Sequence, residues 1–472
     1  MNLSGKIARN TIIHLGGKVA GLIFGLVALA MMTRYLGQTG FGYYTIIIAF
    51  LQFFGILVDF GLTLTTVQLI SEPNRDISKT MNSLISLRWI SAAIFLALAP
   101  IVIWFFPYPE QVKFGAIIGV LSFFFIAIFQ TLTPLFQLKL KMTQVTIAEV
   151  FGKVVMVLGV WASVYWDLGL YWILTAISLG SFLNMFVAWY FSRSEVAWSW
   201  KIDTSVWKEA WHRTWPIALS ITFNLLYLKT DAIILSYFRS PEDVGLYGAS
   251  YRIIDILTML PAVFMSIVLP VATRMFVEKK IVDLKELLQK AFSALMIIGV
   301  PIVLGGILLA RKLMVFVAGA EFAESGEILK ILLLASFAIF VTTLSGYAIV
   351  ALNKQKIMLW GYLTAAILTM IGYFYAIPIY GYWGAAWMTV FSEVFIMVWT
   401  LVVVWQTIKF FPKLKILGQS FMASSFMCLA LLQVPSWPLW ALLLIAVVVY
   451  FPVLYVLGGL KKETLKEIIT IK

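Results

Sequence analysis

The fold is decided by residues 11–32, whose sequence is TIIHLGGKVAGLIFGLVALAMM. Apart from His14 and Lys18, the run holds only apolar and small residues. A helix that crosses a bilayer needs about 20 such residues. The run is too long for the apolar region of a signal peptide, and no small-residue cleavage site follows it. We therefore interpret it as a retained first transmembrane helix.

The same pattern recurs along the whole chain. Of its 472 residues, 62% are hydrophobic and only 12% are charged, whereas soluble domains are about 25% charged. We therefore predict an all-α integral membrane protein with about fourteen transmembrane helices. The predicted spans are 11–33, 43–67, 81–106, 114–136, 145–166, 169–191, 214–238, 245–270, 290–310, 328–352, 357–379, 381–406, 416–433 and 438–458. The turns at 166–169 and 379–381 are so tight that a single broken helix remains an alternative at each.

Lysine and arginine are distributed unevenly between the two sides of these spans. If the N-terminus is cytoplasmic, cytoplasmic segments hold 24 of the 35 basic residues, external segments hold five, and six (35 − 24 − 5) fall within spans. Cytoplasmic loops are rich in Lys and Arg, so we place both termini in the cytoplasm of a multi-pass cell-membrane protein. This topology explains the net charge of +13, and we expect no nucleic-acid partner. The single cysteine, Cys428, and two histidines predict no metal site.

The segments between spans are short, and the longest external one runs from about Arg311 to Glu327. No loop can house an enzyme domain, so we expect no soluble catalytic domain. Two cytoplasmic segments, 206–215 and 276–292, are amphipathic. We interpret both as helices that lie at the lipid headgroups, with binding to a partner as the alternative.

An internal repeat links the ends of predicted helices 1 and 7. Residues 35–44 (YLGQTGFGYY) align without gaps with residues 238–247 (FRSPEDVGLY), so that Gly42 matches Gly245 and Tyr44 matches Tyr247. We predict two six-helix lobes, 1–200 and 201–410, followed by an extra helix pair and a cytoplasmic tail, 411–472. Six helices is an even number, so the repeats are parallel. Substrate sites in such transporters lie between the repeats near the midplane.

Several stretches resemble polysaccharide-biosynthesis flippases of the Wzx type, which belong to the multidrug/oligosaccharidyl-lipid/polysaccharide exporter superfamily. The stretches are Arg34-Tyr-Leu-Gly with Gly40-Phe-Gly-Tyr-Tyr44, Asp59-Phe-Gly-Leu62, Trp215-Pro-Ile217 with Asp231 and Val244-Gly-Leu-Tyr247, Leu260-Pro261 with Leu269-Pro270 and Arg274, and Gly319-Ala-Glu-Phe322. Each is short, and the specificity comes from their order and spacing over most of the chain.

The resemblance implies a secondary transporter that flips an oligosaccharide linked to undecaprenyl diphosphate from the inner to the outer leaflet. Such transport serves the assembly of O-antigen, capsule or exopolysaccharide. It implies alternating access between two lobes, with membrane lipids and other polysaccharide-assembly proteins as partners. The resemblance also accounts for the extra helix pair. We find no Gly-rich phosphate loop, so we expect no cofactor beyond a coupling ion, H+ or Na+.

Ionisable residues inside spans independently mark candidate sites, because charges in lipid usually face a cavity or a partner. For substrate binding they are Lys18, Arg88, Lys153, Lys229 and Arg252; for ion coupling they are Asp59, Glu149, Asp231, Asp255 and Glu393. Lys18, Arg88 and Lys153 are expected to attract the diphosphate, and an arginine fork suits phosphate oxygens. We predict that Lys18, Asp59, Arg88, Glu149 and Lys153 line one inward-open cavity.

Some of these charges have a structural interpretation that stays open. Glu149 and Lys153 are four residues apart and Arg252 and Asp255 are three apart, so each pair can neutralise itself within one helix. Lys229 and Asp231 are two apart, which places them on different helix faces. Lys18, Asp59, Arg88 and Glu393 have no such partner in their own helices, which favours a functional role.

Three other functions remain as alternatives. A lipid II flippase has a substrate that also carries diphosphate, so the sequence separates it poorly from an oligosaccharide flippase. A multidrug or organic-cation antiporter favours acidic cavity residues, whereas the first lobe has three buried cations against two acids. An integral membrane glycan polymerase or ligase is expected to have a sizeable external loop, and this sequence has none.

Overall fold

The computed structural model describes residues 3–460, with side chains from Ile13 onward except at positions 15, 216, 217 and 220. The predicted tail cations Lys461, Lys462, Lys466 and Lys472 lie outside the described residues. Within this range there are fifteen α-helices, one 3-10 helix (Ala320–Phe322) and no strand. The α-helices are α1 (Leu3–Asp59), α2 (Leu62–Ile70), α3 (Ile77–Trp104), α4 (Glu110–Leu138), α5 (Met142–Tyr165), α6 (Leu170–Ser192), α7 (Thr204–Lys229), α8 (Asp231–Phe238), α9 (Pro241–Val277), α10 (Ile281–Ala318), α11 (Ser325–Ala351), α12 (Gln355–Tyr380), α13 (Tyr382–Ile408), α14 (Lys415–Leu432) and α15 (Leu439–Val456).

The number of spans agrees with the sequence prediction. Twelve stretches of the described chain are helical, long and apolar enough to cross a membrane. One of them, Gly16–Ile70, contains two predicted spans. The non-helical residue between these spans is Gly37, where φ is 63°. The pair α7–α8 covers the predicted span 214–238. The second span within Gly16–Ile70 and the span formed by α7–α8 raise the count for the described residues from twelve to fourteen. The predicted all-α membrane fold is therefore confirmed.

Neither of the two tight turns, 166–169 and 379–381, lies within a single broken helix. Gly169 separates α5 from α6 with φ of 81°, and Gly381 separates α12 from α13 with φ of 58°. Glycine adopts this left-handed backbone without the steric cost that a Cβ atom brings. Both positions therefore join two distinct helices.

The chain divides into two compact units. The first unit is Met1–Gly248 with Tyr373–Gly381, and the second is Ala249–Gly372 with Tyr382–Lys472. The predicted lobe boundaries at 200/201 and 410/411 stay predictions.

Close helix packing in the first unit depends on small residues. A Cβ atom on Gly152 of α5 would lie 2.6 Å from the Gly180 carbonyl oxygen of α6, and one on Gly180 would lie 2.7 Å from the Gly152 carbonyl oxygen. Glycines that face each other let two backbones approach closely, which is how membrane helices associate without a hydrophobic driving force. An apolar cluster beside them is formed by Ile85, Ile128, Phe129, Leu132, Phe136, Val145, Ala148 and Ala188.

In the second unit, the extra helix pair α14–α15 packs against α10. The Tyr450 hydroxyl donates to the Ile297 carbonyl oxygen at 2.7 Å, and the Lys312 ammonium donates to the Trp437 carbonyl oxygen at 3.1 Å. The buried side chains between these helices are Leu309, Ala423, Met427, Leu431, Leu442, Tyr450 and Leu454. The pair is thus attached to α10 by packing and by hydrogen bonds near both of its ends.

The two repeat segments of the first unit contact each other reciprocally. A Cβ atom on Gly42 would lie 1.8 Å from the Pro241 carbonyl oxygen, and one on Gly245 would lie 2.2 Å from the Gln38 carbonyl oxygen. Residues 42 and 245 are equivalent under the repeat offset of 203 residues, and so are residues 38 and 241.

Two further contacts follow the same offset. The Thr39 hydroxyl donates to the Glu242 carboxylate at 2.5 Å across 203 residues, and a Cβ atom on Gly248 would meet the Thr45 side chain. Gly42 contacts Pro241, and their equivalents in the repeat, Gly245 and Gln38, also contact each other. Such reciprocal contacts are typical of two segments related by a twofold axis. The gapless alignment of the repeat therefore describes a pseudo-twofold contact in the structure, and we call residues 38–45 with 241–248 the repeat contact.

The two amphipathic segments are parts of longer helices and not separate surface helices. Segment 206–215 belongs to α7, and its Val206 and Ala210 are buried against Leu62, Leu69 and Leu84 of the first unit. Protein therefore covers the Val206 side of the segment, whereas its position at the lipid headgroups stays a prediction.

Segment 276–292 spans the end of α9 and the first turns of α10. Leu284 and Leu288 are buried there, and the Gln289 carboxamide accepts from the Lys413 backbone N–H at 2.7 Å. Protein therefore covers the apolar stripe here as well, and the position of this segment at the headgroups stays a prediction.

We expect Gly42→Ala to destabilise the protein by about 1–3 kcal/mol, the usual cost of forcing an extra methyl into a packed site. The added Cβ atom cannot fit beside the Pro241 carbonyl oxygen without a backbone shift. Gly25→Ala in the same helix is the matched control, because a Cβ atom there meets no atom within 4 Å. Thermal unfolding in detergent measures both, and equal midpoints for the two variants would contradict the close contact.

Candidate functional site

A break between α1 and α2 positions the first candidate residue, Asp59. Phe60 and Gly61 have φ of 40° and 81°, so the helix ends at Asp59 and restarts at Leu62. The Asp59 carboxylate accepts from the Gly61 backbone N–H at 3.2 Å and from the Thr63 hydroxyl at 2.5 Å. Its side chain is 27% exposed. The break thus leaves the Asp59 carboxylate at a helix end, within hydrogen-bonding distance of Gly61 and Thr63.

Arg88 of α3 approaches the same break from the protein interior. Its side chain is 0% exposed, and Nη2 donates to the Asp59 carboxylate at 2.7 Å. Nη1 donates to the Val58 carbonyl oxygen at 2.7 Å, and Nε donates to the Thr131 hydroxyl of α4 at 2.7 Å. The guanidinium therefore joins three helices through charge-assisted hydrogen bonds.

This geometry bears on the predicted role of Arg88. In the arrangement seen here Nη1 and Nη2 donate to the break in α1, Nε donates to Thr131, and the side chain is fully buried. Binding of the diphosphate by Arg88 stays a prediction, and the arrangement adds a structural role that the sequence reasoning did not foresee.

Lys18 and Glu149 form a second ion pair, between α1 and α5, with Nζ and Oε1 3.1 Å apart. Both side chains are partly exposed. His14 lies one helical turn before Lys18, and its Nδ1 is 3.2 Å from the Thr146 hydroxyl. Sequence spacing indicated Lys153 as the partner of Glu149, whereas this contact across helices could not be read from spacing. Lys153 itself is exposed.

Asp59 also lines a cavity of about 410 Å³ within the first unit. Of the five charges predicted to share one inward-open cavity, this cavity contains only Asp59 in its lining. Lys208 and His212 of α7 supply its other ionisable groups.

A second helix break lies beside Asp231. α7 ends at Lys229 and α8 begins at Asp231, so the argument that these two residues occupy different faces of one helix does not apply. Asp231 is buried, and its carboxylate accepts from the Tyr247 hydroxyl at 2.5 Å and from the Ala232 backbone N–H at 2.8 Å. Tyr247 is a repeat residue that sequence reasoning noted for its alignment but not for this contact.

Three candidates lie in the second unit. Arg252 and Asp255 form the predicted pair within one helix, with Nη1 and Oδ2 3.7 Å apart. Glu393 of α13 is buried and interacts electrostatically with Tyr362 of α12. In the part of the chain that the structure describes, no three His, Cys, Asp or Glu side chains group as they do at metal sites.

An ionic network that sequence reasoning missed fastens the start of α7 to the segment between α2 and α3. Arg75 pairs with Glu72 at 3.4 Å and with Glu209 at 2.8 Å, while Arg213 pairs with each of the same two acids at 2.6 Å. The hydrogen bond from Arg75 is the main cause that lowers the pKa of the Glu209 carboxyl. All four residues are polar and lie outside the predicted spans, so only their distance in space reveals the network.

Comparison with known proteins gives consistent results. The family model described as "Polysaccharide biosynthesis protein" matches residues 7–276, more than half of the chain, and the model "MatE" matches residues 216–377. A protein of Shigella dysenteriae named "Putative O-antigen transporter" is 24% identical over 393 residues, which are 81% of this chain and 96% of that protein.

Solved structures share the fold. The lipid II flippase MurJ in an inward-closed conformation superimposes with a TM-score of 0.78 at 15% identity, covering 94% of this chain and 98% of that one. An inward-facing multidrug resistance MATE family transporter of the MOP superfamily gives 0.67 at 13% identity, covering 84% and 98%. These relatives are transporters and flippases, so the prediction of a multi-pass membrane transporter rather than an enzyme is confirmed.

We expect Arg88→Gln to lower the free energy of unfolding by about 3–5 kcal/mol, because it leaves a partly buried carboxylate without its cation. Asp59→Asn should also destabilise. The double variant should lose less than the sum of the two by about 0.5–3 kcal/mol, as expected for residues in contact. Denaturant or thermal unfolding of all four proteins measures this coupling, and strict additivity would show that the pair is not an energetic unit.

Proposed function

This chain belongs to the polysaccharide biosynthesis protein family, and from that premise we propose that it flips an oligosaccharide linked to undecaprenyl diphosphate from the inner to the outer leaflet. The family match is the observation that carries the proposal. The O-antigen transporter relative, aligned over 81% of this chain, supports it. Delivery of O-antigen, capsule or exopolysaccharide units, in contact with other polysaccharide-assembly proteins, is the corresponding cellular role.

The charges of the first unit support an anionic substrate. Lys18 is partly exposed and Lys153 is exposed, so both are accessible to a diphosphate, whereas Arg88 supports the wall behind Asp59. Glu149 and Asp59 each balance a cation when no substrate is bound. Protonation or Na+ binding at a carboxylate releases its cation, which would couple transport to an ion gradient. The membrane potential contributes about 2.3 kcal/mol per charge per 100 mV.

We further propose alternating access with the repeat contact as one gate. By the predicted topology, with both termini cytoplasmic in the cell membrane, residues 38–45 and 241–248 lie at the outer ends of their helices. The contact is made by backbone and small residues, so it seals closely but has few side chains to separate. Packed interfaces of this kind switch between discrete arrangements rather than deforming continuously.

Purified protein in liposomes should expose a labelled lipid-linked oligosaccharide on the far leaflet faster than protein-free liposomes do. Lys18→Gln should slow this movement by about tenfold, which corresponds to one charge-assisted contact of about 1.4 kcal/mol. Lys201→Gln is the matched control, because Lys201 is exposed in the segment before α7 and touches no candidate site.

A labelled organic cation and lipid II are tested in parallel. Cation efflux without glycolipid movement would show that the chain is a multidrug-type transporter. Movement of lipid II in preference to the oligosaccharide lipid would establish the lipid II alternative, and either result would refute the proposed substrate.

Linking the two sides of the repeat contact should stop transport. In a Cys428→Ser background, Thr39→Cys with Glu242→Cys places two thiols where the native side chains touch. A bifunctional methanethiosulfonate should abolish flipping, and a reductant should restore it. The control pair, Glu327→Cys with Lys330→Cys, links neighbours in one helix and should leave transport intact. Full activity of the linked protein would show that the repeat contact does not open.

A further inference from the structure

The cavity that contains Asp59 is built almost entirely from rigid apolar walls. It lies in the first unit where the end of α1, the start of α2, the middle of α3 and the first turns of α7 meet. Its aromatic and branched lining includes Phe60, Leu62, Leu87, Phe95, Trp207 and Trp211. Phe60 and Trp211 stack with ring centroids 5.7 Å apart, and the Trp207 indole donates to the Ser83 carbonyl oxygen at 2.9 Å.

The few charged groups around this cavity favour an anion. The Asp59 carboxylate is balanced by Arg88 at 2.7 Å. Lys208 adds an exposed positive charge, and His212 adds an exposed imidazole one turn further along α7. The local balance is therefore positive, and both basic groups belong to the same short stretch of helix.

We propose that this cavity binds the isoprenoid chain of a diphosphate-linked lipid, with the diphosphate at Lys208 and His212. The inference rests on the proposed function and adds a second position for the carrier lipid, separate from Lys18 and Lys153, neither of which lines this cavity.

The size of the cavity limits what it can hold. A volume of about 410 Å³ lies near the lower end of the range of roughly 300–1,000 Å³ for small-molecule sites. It therefore accommodates a segment of one chain and is too small for two acyl chains side by side. The flat faces of Trp207, Trp211 and Phe60 suit a branched, unsaturated chain.

Affinity for this ligand must come mainly from its charge. A lipid tail is as apolar as the cavity wall, so its transfer from the bilayer gains little free energy. The diphosphate gains contacts with Lys208 and His212, and cations near a membrane surface attract anionic headgroups. Loss of Lys208 should thus weaken binding more than shortening of the chain does.

Native mass spectrometry of the purified full-length protein with farnesyl diphosphate as the probe tests this. One bound molecule is expected. Lys208→Gln should weaken binding about fivefold, the effect of one basic side chain at a membrane surface. Ser91→Trp fills the cavity from α3 and should abolish binding, as should Leu87→Trp. The matched controls, Lys201→Gln and the lipid-exposed Ile94→Trp, should bind as the unmodified protein does.

Two competitors identify the ligand chemistry. Farnesol, which lacks the diphosphate, should displace the probe only weakly. Displacement by phosphatidylglycerol at equal concentration would show a general phospholipid site and overturn the inference, as would binding that persists in both cavity-filling variants while they retain the unfolding temperature of Ile94→Trp.

The transport assay separates this inference from the proposed function. If the protein flips the glycolipid normally and both cavity-filling variants still bind the probe, the cavity site alone is refuted. Probe binding that the cavity-filling variants abolish, in a protein that moves no glycolipid, would refute the proposed function alone.

Discussion

The hydrogen bond from Arg88 to the Val58 carbonyl oxygen makes the interruption between α1 and α2 tolerable inside a membrane span. A helix that ends leaves carbonyl groups without partners, and in hydrocarbon each such group costs several kcal/mol. Phe60 and Gly61 end the helix, so a donor must come from elsewhere in the protein. A buried guanidinium supplies that donor and in turn requires a carboxylate, which Asp59 provides at 2.7 Å. The break, the cation and the anion therefore depend on one another.

This dependence changes what a buried charge in such a sequence signifies. The sequence predicts a functional role for both Arg88 and Asp59, because ionisable side chains inside a membrane are costly and usually serve a function. The structure gives Arg88 a structural role instead, as the donor to the Val58 carbonyl oxygen. Asp59 differs, since its carboxylate is held by Arg88 and Thr63 on one side and lines the cavity on the other. Lys208 and His212 line the cavity together with Asp59, whereas Arg88 does not line it. Asp59 is thus the residue that belongs both to the helix break and to the cavity.

The parts of the fold that follow from hydropathy could be predicted, and those that follow from single backbone angles could not. Span number and the all-α class depend on runs of about 20 apolar residues, which the sequence displays directly. The interruption at Phe60 and Gly61 changes two φ values without changing the apolar run, so periodicity does not reveal it. Burial of Val206 and Ala210 in segment 206–215 could not be predicted either, because an amphipathic pattern does not say whether protein or lipid covers the apolar side. The Lys18–Glu149 pair joins residues 131 apart, a distance that spacing rules do not reach.

The repeat contact and Asp59 lie at opposite ends of one helical segment. Residues 38–59 form a continuous helix about 33 Å long at 1.5 Å per residue, bounded by non-helical backbone at Gly37 and at Phe60–Gly61. Its first turn carries Gly42, which touches Pro241 across the pseudo-twofold axis, and its last residue is Asp59. Hinges are a few terminal residues that absorb changes in φ and ψ while the helix between them stays rigid. Under the proposed function, a tilt of this segment that opens the repeat contact would also change the position of Asp59 relative to Arg88. One helix is then enough to connect an anion bound beside Asp59 with the repeat contact.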